Sequence, residues 1–147
     1  MQPPVAVGLF LVLFITSAFG YLNPKSFGKT FVVMTVHAHH LCQLTTDVSQ
    51  ELIDEVRDGK FPDNEPSIQY YTLCLWLAAK GLDDQLRIRK DLILPYLEEM
   101  NLSQDANVYI TCNENALKLN ETKPHKKIWE MQKCIQKNID AERYIFF

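Results

Sequence analysis

Across residues 23–41 the apolar side chains Phe27, Phe31, Met34, Ala38 and Leu41 recur at intervals of three and four, which places them on one face of a helix expected to stop at Cys42. Ser49 is a candidate cap for a short second helix, with Val48 before it and Ile53 four positions on as a hydrophobic staple, and Gly59 as its stop. Asn64-Glu65-Pro66 opens a third, because a missing proline amide costs little in a first turn. Its apolar face runs Ile68, Tyr71, Leu75, Ala78 and Leu82, with Gly81 near the end. Residues 88–100 are rich in Leu and Ile but contain Pro95, so a late start or a kink is expected there. Ser103 is a candidate cap for a fifth helix carrying Cys112. Lys123-Pro124 opens a sixth, in which Ile128, Met131, Ile135 and Ile139 share a side. The segment Tyr144-Ile145-Phe146-Phe147 is costly to leave in water and is expected to dock. No stretch alternates with period two for long enough to propose a sheet, so the pattern predicts an all-α domain.

Residues 5–15 lack polar side chains, and Ala18 and Gly20 stand at -3 and -1 of a cut before Tyr21. This small-x-small pattern reads as a secretory signal peptide over residues 1–20, although no Lys or Arg precedes the apolar run. The run falls short of the ~20 residues that span a bilayer. The expectation is one exported domain, residues 21–147, in extracellular fluid and without a membrane span. An oxidising compartment changes the reading of Cys42, Cys74, Cys112 and Cys134: an even set with no Cys-x-x-Cys favours two disulfides over a metal or redox motif. Spacing alone leaves all three pairings open.

Charge and chemistry narrow the function. A formal net charge of -3 offers no attraction for a polyanion, so nucleic acid is not an expected partner. No nucleophile elbow, zinc-protease motif or phosphate loop is present, so no catalytic residue, cofactor or metal is expected and the chain does not read as an enzyme. His37 and His40 are three apart and could share a helix face, as metal ligands or proton sensors; ordinary solvated histidines are the favoured reading. Asp83, Asp84 and Asp91 lack the spacing of a calcium loop. Asn101-Leu102-Ser103 and Asn120-Glu121-Thr122 fit the N-glycosylation pattern. The large apolar side chains supply either a filled core or the wall of a cavity, and composition does not separate the two.

At its cysteines and their flanks the chain resembles the insect odorant-binding and pheromone-binding proteins. Cys42, Cys74, Cys112 and Cys134 look like the first, third, fourth and sixth of that family's six cysteines. The missing second and fifth, four positions before the third and nine before the sixth, fall at Tyr70 and His125. Those two pair in the family, so one whole bridge is absent, the pattern of the C-minus subgroup. Val48-Ser49-Gln50-Glu51-Leu52-Ile53 and Gly59-Lys60-Phe61-Pro62-Asp63 look like the family's second helix and the turn after it. The resemblance implies a compact bundle of about six short helices, stapled by Cys42–Cys74 and Cys112–Cys134 around an apolar internal cavity. It also implies closure of the cavity by the tail. The function implied is that of a secreted carrier of a small apolar ligand, such as an odorant, pheromone or lipid-like semiochemical. A chemoreceptor is a candidate partner, and the carrier is expected as a monomer or weak homodimer.

Candidate ligand-contacting residues on that reading are Phe31, Met34 and Ile53 from the first two helices and Tyr71 and Leu75 from the third. Ile88, Leu92, Leu97, Met100 and Val108 follow, then Ile128, Met131 and Ile135, with Tyr144 and Phe146 from the tail. Tyr71, Gln132 or a histidine would orient the ligand. Two other readings compete: a salivary scavenger of small host mediators on the same fold, and a secreted helical signalling protein with a filled core.

Overall fold

The computed structural model describes residues 21–147. The leader expected over residues 1–20 lies outside the described residues. Six α-helices build the domain, and among the described residues the only extended pairing is one isolated antiparallel bridge, Leu82 to Ile88.

Asn23 caps a single 3-10 turn, Pro24–Ser26, by accepting from the Lys25 amide, so the first helix, α1, starts later than its apolar face suggests, at Lys29–Thr46. It also runs past Cys42. The Thr45 and Thr46 hydroxyls donate back to the carbonyls of Leu41 and Cys42 within the last turn, and Asp47 then closes the helix in the left-handed region at φ 53°. Helix α2 (Gln50–Arg57) is capped by Ser49, whose hydroxyl accepts from the Leu52 amide, and the chain leaves it through Gly59 at φ 80°.

Helix α3 (Pro66–Ala78) carries proline in its first turn and stops before Leu82, because Lys80 takes a positive φ of 55° and turns the chain out. Gly81 is needed there: a Cβ would come within 2.9 Å of the Trp76 ring and 3.1 Å of Ile93. Helix α4 (Lys90–Glu99) begins two residues inside the Leu/Ile-rich segment and holds Pro95 in its interior. Ser103 does not cap a helix; it starts a 3-10 turn, Ser103–Asp105, that leads into α5 (Ala106–Leu117). Helix α6 (Pro124–Asn138) opens on its proline as expected.

Helix α1 packs on α3, α3 on α6, and α5 on α6. Ile53, Ile68, Tyr71, Ile128, Met131, Ile135 and Tyr144 are fully buried in the core. Of the three pairings four cysteines allow, the structure holds Cys42–Cys74, joining α1 to α3, and Cys112–Cys134, joining α5 to α6.

The starts of α3 and α6 are joined without a bridge. The Tyr70 and His125 rings lie 4.0 Å apart at 30°, a near-parallel contact at the two positions where the resemblance puts the missing cysteines. His125 is buried and Tyr70 half exposed. This proximity predicts that Tyr70→Cys combined with His125→Cys oxidises to a third bridge and raises the unfolding free energy by about 2–4 kcal/mol. Thiol titration and denaturant unfolding check it, and two persistent free thiols would refute the placement.

Candidate functional site

A cavity of about 70 Å³ lies between α1, α3, α4, α5, α6 and the C-terminal segment. Its wall has an inner and an outer part. Phe31, Thr72, Leu75, Leu97, Met100, Tyr109, Gln132 and Phe146 are buried, whereas Met34, Trp76, Ala79, Ile93, Tyr96, Ile145 and Phe147 are half-buried and form the solvent side. Each helix contributes through its own period: Thr72, Leu75, Trp76 and Ala79 follow one face of α3 and its end, and Ile93, Tyr96, Leu97 and Met100 one face of α4.

No wall residue is charged. The polar groups mostly serve each other: the Trp76 indole N–H donates to Gln132 Oε1 at 3.0 Å, Gln132 Nε2 donates to the Tyr144 hydroxyl at 2.9 Å, and the Thr72 hydroxyl donates back to the Ile68 carbonyl. The volume is small beside the ~300–1,000 Å³ of common ligand clefts, so a molecule of ten or so heavy atoms enters only as the wall moves.

The tail is the part of the wall least tied by its own backbone. It is extended rather than helical after Tyr144, and it is held from four sides. The Leu22 amide donates to the Tyr144 carbonyl, Arg57 Nε donates to the Phe146 carbonyl at 3.3 Å, and the Tyr71 hydroxyl donates to the Phe147 main-chain oxygen. The Phe147 ring stands edge-on to Phe31 at 5.8 Å. Just upstream, Arg143 grips the buried Asp105 carboxylate through two nitrogens, at 2.9 and 3.2 Å.

The model of the PBP/GOBP family matches residues 25–138, most of the chain and all six helices. The chain belongs to the PBP/GOBP family. Among solved structures it is similar to odorant binding protein 5 of Apis mellifera, with a TM-score of 0.60 and 18% identity over 86% of this chain and 99% of that one. At that identity the likeness speaks for the fold. No curated protein sequence matches the chain.

In this PBP/GOBP domain, six of the residues singled out from sequence line the cavity: Phe31, Met34, Leu75, Leu97, Met100 and Phe146. Gln132, read as an orienting group, lines it as well. Ile53, Tyr71, Ile88, Ile128, Met131, Ile135 and Tyr144 are buried in the surrounding core, and Leu92 and Val108 are half-buried away from the wall. Thr72, Trp76, Ala79, Ile93, Tyr96 and Tyr109 were not anticipated. Val108 and Tyr109 both lie one turn before Cys112 on the face toward α6, so the helical period alone does not single out Tyr109. Among the histidines, His37 and His40 are exposed, and no three His, Cys, Asp or Glu side chains converge among the described residues.

The histidine that touches the tail's anchor is His39. Its Nδ1 lies 2.7 Å from the Tyr71 hydroxyl, the group that holds Phe147. Burial, then the Arg57 and His40 charges, hold the His39 pKa below the ordinary histidine value, against a raising contribution from Phe147. Burial, with Lys123 and Lys126, does the same to His125, opposed by Glu121. A depressed pKa means that the unfolded chain takes up protons which the folded chain refuses. The stabilisation is complete above about pH 6.5 and is lost as pH falls below it towards the folded-state values. Urea midpoints are therefore expected to fall between neutral pH and about pH 5, and His125→Phe, which keeps a ring against Tyr70, is expected to flatten part of that slope. A midpoint that rises on acidification would contradict this sign.

Proposed function

We propose that this PBP/GOBP domain is an exported carrier that encloses one small apolar molecule, an odorant, pheromone or similar semiochemical, and moves it through an aqueous extracellular fluid. The observation that carries the reading is the uncharged cavity lined by Phe31, Leu75, Leu97, Met100 and Phe146 and bounded on one side by the tail. Moving apolar surface from water into such a space yields about 25 cal/mol per Å², so a ligand burying ~300 Å² gains on the order of 7 kcal/mol before ordering costs. No bond changes. The ligand displaces tail side chains from their half-buried positions, and the tail contacts to Arg57 and Tyr71 re-form over it.

The salivary-scavenger alternative fits less well where the mediator is charged, because the wall offers no counter-charge and burying an unpaired ion is costly. Native mass spectrometry of the protein taken from its source tissue tests the carrier reading. The expected result is a chain beginning at Tyr21, with two bridges and one small organic molecule that leaves on denaturation. A bare chain that also takes up no apolar fluorophore would overturn it.

A further inference from the structure

One wall residue has a polar group without a protein partner. Tyr109 is 6% exposed, lines the cavity from α5, and its Oη is the one buried side-chain nitrogen or oxygen among the described residues that has no hydrogen-bond partner. Buried hydroxyls are nearly always paired, because leaving one unmet forfeits its hydration. Its polar neighbours on the wall are already committed: Trp76 to Gln132, Gln132 to Tyr144, and Thr72 to its own helix. The Trp76 and Tyr109 rings are edge-on at 6.3 Å, which places the phenol beside the indole and not in a separate part of the core. The hydroxyl is shut off in the closed domain, so it meets a new partner only when the wall opens, which is the event that admits a ligand.

We propose that Tyr109 Oη is the hydrogen-bond donor for a single neutral oxygen on the ligand, a ketone, aldehyde, ester or alcohol on an otherwise apolar skeleton. This rests on the carrier reading and sharpens it. Burial and the nearby Asp105 charge keep the phenol protonated, so it acts as a donor throughout the physiological range. A carboxylate is disfavoured, because the wall has no cation to offset its lost hydration.

The test compares 2-decanone, decane and decanoate as competitors of a bound apolar fluorophore, on the intact domain and on Tyr109→Phe. The substitution is expected to weaken 2-decanone on the order of tenfold and to leave decane within about twofold, while the melting temperature does not drop, since no existing hydrogen bond is lost. Decanoate is expected to compete poorly with both proteins at neutral pH. Unchanged 2-decanone affinity in Tyr109→Phe, with decane still bound, overturns the donor role and leaves the carrier reading intact. Decanoate competing as well as 2-decanone overturns the restriction to neutral oxygens. If none of the three displaces the fluorophore from a folded domain, both readings fall together.

Discussion

Replacing Cys42 and Cys74 together by alanine is expected to lower the unfolding free energy by about 3–4 kcal/mol and the melting temperature by more than 10 °C. The bridge spans a sequence separation of 32, and cross-linking a loop of that length removes conformational freedom from the unfolded chain at roughly this value in the chain-entropy model. The native side adds to the loss, since Cys42 is fully buried between α1 and α3 and two alanines leave a void where the sulfurs were. The shorter Cys112–Cys134 link, with a separation of 22, should cost slightly less when removed. Function should follow the first bridge more closely than the second. Phe31 and Met34 come from α1 and Thr72, Leu75 and Trp76 from α3, whereas the helices joined by the second bridge supply only Tyr109 and Gln132, so loosening the first pair deforms more of the wall. Denaturant unfolding and apolar-probe titration of both double variants check the order; a change below about 1 kcal/mol for the Cys42 pair would show that the helix contacts alone fix that side.

Phe146→Ala carries the second large effect. The Phe146 ring is 3% exposed, lies 6.0 Å from Tyr71 and is stacked at 6.5 Å on Tyr144. A fully enclosed phenylalanine costs about 3–5 kcal/mol to truncate, and this one belongs near the lower end, about 3 kcal/mol, because part of its surroundings is already empty space. The same substitution enlarges the cavity and removes a side chain that a ligand must otherwise push aside. Stability and binding should therefore move in opposite directions: a lower melting temperature with tighter uptake of a bulky apolar fluorophore. Parallel loss of both would mean that the ring is a ligand contact more than an occupant of the ligand's space, and an unchanged melting temperature would mean that the tail does not dock in solution.

The pattern of threes and fours made the helices legible because each one has a buried side, and the Ser49 cap and the first-turn prolines Pro66 and Pro124 made three of their starts legible too. Two ends were misread for local reasons. Cys42 looked terminal, yet nothing in residues 43–46 breaks a helix, and α1 runs on to Thr46 before Asp47 turns the chain out. Leu82 kept the period of α3 but belongs to the turn, because the positive φ at Lys80 is a backbone event that an apolar repeat does not reveal. The cavity was harder. A residue facing a void and a residue facing the core carry the same apolar signature, so Leu75 and Ile128 look alike in sequence although only Leu75 lines the wall. The face Thr72, Trp76 and Ala79 sits beside the more apolar stripe at Ile68 and Tyr71, with Leu75 shared between them, and the stronger stripe drew attention to the core. The anchoring of Phe147 by Tyr71 and His39 joins residues 76 and 32 positions apart, which no local pattern reports.

The outer groove between α1 and α3, bordered by Leu41, Leu73 and Leu77, is the apolar surface most able to mimic an internal site in a solution assay. A crystal structure of the domain with a bromine-labelled ten-carbon ketone separates the two, because the halogen is located by its own anomalous signal. One peak is expected, inside the ring formed by Phe31, Leu75, Tyr109 and Phe146, with the tail shifted to make room. Bromine found solely along the outer groove, or nowhere at a saturating concentration, would contradict it.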